Sequence, residues 1–168
     1  MVQIQEQTNE PNNQKQTKKL YNQIIEQNNY IKENLETTPA LKFSDMKRQA
    51  GKYRKQAGRE EIVISTNLFE KYPEKVENIL KHKIGHAITH QKYINPQSHG
   101  FRWKKVMRKI GQKPERTHSL QLADFNYIIE CKDCGFSDGR YRKSKIVKHP
   151  EKARCPKCGG NVKSREAA

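Results

Sequence analysis

Two pairs of cysteines near the carboxyl end of the chain have the spacing of a metal site. Cys131 and Cys134 form one C-x-x-C pair, Cys155 and Cys158 form the other, and 20 residues separate the pairs. Two such turns supply the four sulfurs that tetrahedral zinc prefers, so the pattern predicts a structural zinc ribbon. A redox-active pair would need a thioredoxin-like βαβ context, which this segment lacks. The separated hairpin pattern also favours zinc over an iron–sulfur cluster.

Three histidines form a second candidate metal site. His82 and His86 are four residues apart in an apolar stretch that predicts a helix, so both rings share one face and can chelate one ion. His99 is the favoured third ligand. His90 is the alternative, but it lies about 80° around the helix from His82. Three histidines would leave a fourth zinc position open, as catalytic zinc sites require.

The residue after His82 decides whether such a site could hydrolyse a peptide bond. In the His-Glu-x-x-His motif of zinc peptidases the glutamate is the general base, and Lys83 stands at that position here. A protonated lysine cannot take a proton from water, and losing a general base costs about 10²–10⁴-fold in rate. Glu77 is no obvious replacement, because it lies about 140° around the helix from His82.

The elements that must position these residues follow from hydrophobic spacing and turn signals. Residues 1–16 are polar and are expected to form a disordered tail. The remaining predicted segments are a helical stretch from Thr17 to residue 38, strands over 40–66 in a small meander, helices over 67–94 and 101–110, and short strands from residue 126, including an extended basic segment over 140–147.

Charge is the clearest feature of the composition. The 168 residues include 34 Lys plus Arg and 18 Asp plus Glu, a net charge of +16, and residues 1–38 contribute none of this excess. Such a charge predicts a polyanionic partner, most simply nucleic acid, although a merely soluble basic surface is the alternative. The residues spaced to face phosphates between the cysteine pairs are Arg140, Arg142, Lys143 and Lys145.

The sequence also argues against membranes and secretion. It contains no run of about 18 apolar residues, which a transmembrane helix needs. Residues 1–5 lack the apolar core of a secretory signal. Four cysteines in such a chain indicate metal before disulfides. We therefore expect a cytoplasmic protein without a membrane partner.

Several segments, in this order, resemble one known family. Residues 80–87 resemble a Leu-x-His-Glu-x-x-His-Ala helix with Lys83 in place of Glu, and residues 62–66 resemble the strand before it. Residues 98–100 resemble a segment that carries a third metal ligand. The basic segment and the second cysteine pair look like a zinc ribbon. The family is that of the SprT-like zinc metallopeptidases, notably its archaeal-type members with a C-terminal ribbon.

The resemblance implies an α+β fold. A small antiparallel sheet would pack on a metal-binding helix in a domain over residues 17–125, and a β zinc ribbon would occupy residues 126–168. It also implies that His82, His86 and His99 hold zinc. The partners it implies are DNA and a DNA-bound protein, which the family cleaves when the two are crosslinked.

Two functions therefore compete. The first is a SprT-like peptidase-type protein acting on DNA-associated proteins, with weak or no hydrolysis because Lys83 occupies the general-base position. The second is a non-enzymatic zinc-ribbon protein that binds nucleic acid. Lys83 itself has three explanations: a natural pseudoenzyme, an engineered or accidental change, or a base supplied by another carboxylate.

Overall fold

The chain divides into two compact units, Met1–Leu122 and Ala123–Ala168. The structure is a computed structural model that describes residues 10–115 and 120–167. The elements described in the first unit are α1 (Asn12–Gln27), α2 (Asn29–Asn34), β1 (Ala40–Ser44), β2 (Gly51–Gln56), β3 (Arg59–Ser65), α3 (Thr66–Lys71), a 3₁₀ turn (Pro73–Lys75), α4 (Val76–Lys92) and α5 (Phe101–Lys109). Those in the second are β4 (Tyr127–Cys131), β5 (Ser137–Arg140), α6 (Lys145–Lys148), a 3₁₀ turn (Pro150–Lys152) and β6 (Val162–Glu166).

The predicted α+β class is confirmed, with helices around one small sheet in the first unit and a second small sheet in the other. None of the helices in the described ranges combines the length and apolar character needed to cross a membrane.

The sheet of the first unit is mixed, which differs from the expected antiparallel meander. Its strand order is β1-β3-β2; β1 pairs with β3 in parallel, and β2 pairs with β3 in antiparallel fashion. The reason lies in β3, whose residues Ile62, Val63 and Ile64 are all buried. A continuous apolar strand of this kind is most stable in the middle of a sheet, so β3 separates the two more polar strands.

Helix α4 is the centre of the first unit. Its side chains are apolar or buried over most of its circumference, as expected for a helix enclosed by other elements. Strand β2 comes close to it at Gly51, where a Cβ atom would lie 3.0 Å from Cγ2 of Ile79. This approach sets the edge strand β2 beside the helix that carries His82 and His86.

The amino-terminal helical stretch begins earlier than predicted and is broken in two. Helix α1 starts at Asn12 rather than Thr17, directly after Pro11, whose fixed φ suits a helix start. Asn28 separates α1 from α2: its Oδ1 accepts a hydrogen bond from the Ile31 amide at 3.1 Å, and its Nδ2 donates to the carbonyl of Ile110 at 3.2 Å. The tail expected over residues 1–16 lies outside the described residues up to residue 9.

Helix α5 packs against α4 at Gly85. A Cβ atom at Gly85 would lie 2.5 Å from the sulfur of Met107, so only glycine allows the two helices this close. Trp103 and Met107 on the facing side of α5 are almost completely buried. The sequence gives no signal for this role, because a glycine inside a helix ordinarily only weakens it.

The second unit is a three-stranded antiparallel sheet in the order β5-β4-β6. The expected extended segment over residues 140–147 is wrong beyond Arg140, because the chain bends and then forms the single turn α6. That turn brings Val147 into the small core with Ile129 and Val162. Ser164 Oγ also donates a 2.8 Å hydrogen bond to the Val147 carbonyl, and a continuous strand would not provide either contact.

We expect Gly85→Ala to destabilise the protein by about 1–3 kcal/mol, because the added methyl group overpacks the contact with Met107. In an open helix the same change would instead stabilise by up to about 1 kcal/mol. Urea unfolding measures the difference. In a double-mutant cycle with Met107→Ala, the coupling should reach about 1 kcal/mol. A stabilising Gly85→Ala would contradict the tight contact.

Candidate functional site: two metal-binding groups

The three predicted histidines meet at one point. The Nε2 atoms of His82 and His86 are 3.2 Å apart, and each lies 3.1 Å from Nε2 of His99. Helix α4 presents the first two from one face, and the loop before α5 presents the third. His90, the alternative third ligand, is not in this group; its ring instead packs on Tyr53 with 5.4 Å between centroids.

This triangle could hold a metal ion. A neutral imidazole nitrogen is either a donor or an acceptor, so three mutual hydrogen bonds cannot all form. One shared ion uses all three lone pairs. Nitrogens bound to tetrahedral zinc lie about 3.3 Å apart, close to the separations between these Nε2 atoms. The residues present therefore fit a zinc ion, with a fourth position left for a ligand.

The electrostatics of the site keep His86 uncharged. Burial, together with the charge of Lys83, lowers the pKa of His86 to about 3, so its ring is neutral at pH 7. A neutral ring is the form that binds a metal.

The backbone at His99 is strained, with φ of +56°, in the left-handed region that a non-glycine residue rarely adopts. Such strain occurs often at functional sites, where neighbouring contacts maintain it. Nδ1 of His99 lies 3.2 Å from the hydroxyl oxygen of Ser98, a hydrogen bond that fixes which nitrogen faces the other histidines.

Trp103 is the site residue that the sequence did not reveal. It is fully buried, and its ring centroid lies 4.9 Å from that of His82, 5.3 Å from His86 and 4.6 Å from His99. Trp103 therefore packs against all three histidine rings. The available signal was that the only tryptophan of the chain follows His99 by one helical turn.

The histidines open into a cleft of about 400 Å³, which we call the histidine cleft. Strand β2 and the segment before it form one wall, and α4 forms the other. Lys83 lines the cleft, half-buried, and burial lowers its pKa to about 8. The described residues that line the cleft are Arg48, Gln49, Ala50, Gly51, Lys52, Tyr53, Ile79, His82, Lys83, His86, His90, Ser98, His99 and Leu120.

No carboxylate is among those lining residues. Glu77, considered as a replacement base, instead pairs with Lys81 at 2.6 Å on α4. Glu60 is buried and accepts from Lys55 at 2.8 Å and from Gln91 at 2.6 Å. Burial alone would raise the pKa of the Glu60 carboxyl, but these bonds lower it below its usual value. Neither glutamate is positioned to act as a base at the histidines.

The four cysteines also come together, in the second unit. Their sulfur atoms all lie within 4.8 Å of one another. Sγ of Cys131 is 3.5 Å from that of Cys158, and Sγ of Cys134 is 3.7 Å from that of Cys155. Sulfurs around tetrahedral zinc are about 3.8 Å apart, so this group also fits a metal ion.

Backbone amides point at these sulfurs, as thiolate ligands require. The amide of Asp133 lies 3.4 Å from Sγ of Cys131, and that of Gly160 lies 3.4 Å from Sγ of Cys158. The amides of Cys134 and Asp133 lower the pKa of the Cys131 thiol to about 7. The two turns are joined as well, because Oδ2 of Asp133 accepts from the Asn161 amide at 3.1 Å.

The four predicted phosphate-facing residues do not share one strand. Arg140 ends β5, is half-buried and bonds to Asp138. Arg142 and Lys143 are exposed on the bend that follows, and Lys145 is exposed at the start of α6. Three of the four therefore have freely accessible charges, and contact with phosphates stays a prediction.

The SprT-like family model matches residues 15–123, a span that contains all three histidines of the cluster. This match covers well over half of the chain. The chain belongs to the SprT-like family. The four-cysteine unit lies almost entirely beyond the matched span, so its assignment depends on its own geometry.

Curated members named Protein SprT are similar to this chain. The protein from Vibrio atlanticus (strain LGP32) is 30% identical over 105 residues, which cover 58% of this chain and 62% of that protein. The protein from Vibrio parahaemolyticus serotype O3:K6 is 28% identical over 127 residues, covering 71% and 74%. The one from Yersinia pestis is 24% identical over 90 residues, covering 50% and 52%. The matches thus span about half to three quarters of these SprT proteins.

We expect two metal ions per chain in protein prepared without chelators. His99→Ala should remove one ion and leave the other, and a Cys155→Ser, Cys158→Ser double variant should do the reverse, because the two groups share no ligand. Inductively coupled plasma mass spectrometry measures both. As a matched control, His90→Ala should keep two ions. Loss of an ion from the His90 variant would show that the ligand set is different.

Proposed function

We propose that this protein is a zinc metallopeptidase-type member of the SprT-like family that acts on DNA-associated proteins, including crosslinked ones, in the cytoplasm. We further propose that it hydrolyses them weakly or not at all. The observation that carries the proposal is the three-histidine cluster at the floor of a cleft in which Lys83 occupies the general-base position.

Zinc is the proposed ion in both sites. Imidazole nitrogens and thiolates are the donors that zinc accepts in proteins, and both groups have the separations that tetrahedral coordination needs. Family membership supports the same metal at the histidines. A zinc ion there would supply Lewis acidity toward water and toward a peptide carbonyl.

The chain provides every part of a peptidase site except the general base. His82, His86 and His99 supply the ligands, Trp103 holds their rings, and the edge strand β2 borders the cleft. An ammonium group at Lys83 cannot accept a proton from water. Among the described residues that line the cleft, no carboxylate is present to replace that base.

DNA is the proposed macromolecular partner because of charge. The net charge is +16, and Arg142, Lys143 and Lys145 expose three cations within a short stretch of the second unit. Phosphate neutralisation by lysine and arginine supplies most non-specific affinity for DNA. A protein bound to that DNA would be the substrate.

Restoring the glutamate should restore activity. We expect Lys83→Glu to cleave a histone or casein substrate in the presence of DNA about 10²–10⁴-fold faster than the chain with Lys83, because a carboxylate at this position can take the proton from water. Gel densitometry over time measures the rate.

Lys83→Gln is the matched control, since it removes the charge without adding a base, and it should stay as slow as the original chain. Cleavage by Lys83→Glu must also stop with a zinc chelator. If Lys83→Glu binds two zinc ions and still cleaves nothing, the peptidase proposal is wrong. If the original chain cleaves equally fast, the proposed inactivity is wrong.

A non-enzymatic nucleic-acid-binding protein is the second candidate function. The observation that favours it is that the described lining of the cleft contains no carboxylate, while the four-cysteine unit carries exposed cations. In this case the histidine site would maintain structure, and binding of DNA through the second unit would be the whole function.

Salt dependence tests the DNA contact for both candidates. Neutralising Arg142, Lys143 and Lys145 to Gln should weaken binding and reduce the slope of log affinity against log salt by about 2–3, because about one counterion is released per phosphate contact. Fluorescence anisotropy with a labelled duplex measures it. The matched control neutralises Lys15, Lys18 and Lys19 on α1 and should change the slope little. An unchanged slope in the first variant would exclude this segment as the contact.

A further inference from the structure

The most unusual group in the histidine cleft is the cation at Lys83. It is half-buried on α4, and no described residue forms an ion pair or a hydrogen bond with it. By contrast Lys81, the other half-buried lysine of α4, pairs with Glu77. A desolvated charge without a partner costs free energy, so the cleft is best completed by an anion.

The other charges around the cleft have the same sign. Arg48 and Lys52 line the wall opposite α4, and the described lining contains neither aspartate nor glutamate. With a metal ion at the histidines, the positive charge would increase further. Cations that converge in a concave site without carboxylates attract and orient anionic ligands.

The position of Lys83 relative to the histidines indicates which class of anion the cleft binds. Lys83 precedes His86 by three residues on α4, which places the two about 60° apart around the helix axis and within one turn of each other. An oxyanion that contacts the three-histidine site can therefore also reach the ammonium. A carboxylate, with two oxygens on one carbon, matches two adjacent positive groups of this kind.

The wall formed by β2 indicates what carries the carboxylate. In the strand order β1-β3-β2, β2 is an edge strand with one side unpaired among the described strands. Residues 48–53, at and before its start, line the cleft. An exposed sheet edge pairs with extended peptides through main-chain hydrogen bonds, whereas DNA has no comparable backbone to pair with it.

We propose that the histidine cleft binds the C-terminal carboxylate of an extended peptide, holding it between the Lys83 ammonium and the three-histidine metal site. The peptide backbone pairs with the free edge of β2. The site would thus retain a peptide end where a glutamate-bearing relative would cleave a peptide bond. This inference rests on the metal site of the proposed function and adds the ligand that Lys83 selects.

The test uses the full chain loaded with zinc and an uncharged six-residue peptide labelled at its amino end. The free-carboxylate form should bind about 10- to 100-fold more tightly than the same peptide with an amidated C-terminus, because a bond to a charged group is lost. Isothermal titration calorimetry or fluorescence anisotropy gives both affinities. Affinities within twofold of each other would overturn the inference.

Variants assign the contact to Lys83. Lys83→Gln should lose at least tenfold in affinity for the free-carboxylate peptide, while Lys83→Arg should keep most of it because the charge remains. Lys81→Gln, on the same helix but paired with Glu77, is the matched control and should bind within twofold of the original chain. Unchanged affinity in a folded, zinc-loaded Lys83→Gln variant would overturn the inference. Should that variant not fold, the comparison of free and amidated peptides still decides.

Two further measurements distinguish a C-terminal carboxylate from an internal carboxylate and from phosphate. An amidated peptide with one internal aspartate that binds as tightly as the free-carboxylate peptide would overturn the assignment to a C-terminus. Inorganic phosphate that displaces the peptide at lower concentration than acetate does would reassign the cleft to phosphate. If the chain binds two zinc ions but does not prefer the free-carboxylate peptide over the amidated one, only this inference is wrong. If the histidine site binds no zinc, the proposed function itself is wrong.

Discussion

The contact between α4 and α5 at Gly85 is the constraint on which the histidine site depends. Because no side chain stands between the helices there, Met107 packs directly onto α4 and Trp103 lies under the three histidine rings. His99 directly precedes the same helix, so the position of α5 also sets the position of the third histidine. The missing side chain at Gly85 therefore couples the packing of the core to the positions of the three imidazole nitrogens.

Charge and burial divide the site into two parts. At the floor, burial keeps His86 neutral and suited to bind a cation. On the wall, Lys83 carries a charge that the described part of the chain does not compensate. The cleft therefore combines a place for a metal ion with a place for an anion, and its described lining contains no carboxylate.

Short-range spacing predicts which histidines and cysteines come together. The two C-x-x-C pairs and the histidines of α4 each come from one turn of backbone, so residue numbers alone imply proximity. Helical angles favour His99 over His90 as the third member of the group, and the structure brings His99 to the other two. These are features that local geometry determines.

Long-range strand pairing and helix packing could not be predicted from the sequence. The parallel pairing of β1 with β3 depends on which strand is buried most deeply, which a local pattern of alternating residues does not reveal. Residues 145–148 form a turn of helix because Val147 has to reach the small core, although their composition suits a strand. Gly85 and Trp103 act through partners that are distant in sequence.

Finally, each metal group lies wholly inside one compact unit, and the family match ends at residue 123, where the second unit begins. Removal or exchange of the second unit would therefore leave all three histidines of the first group in the chain.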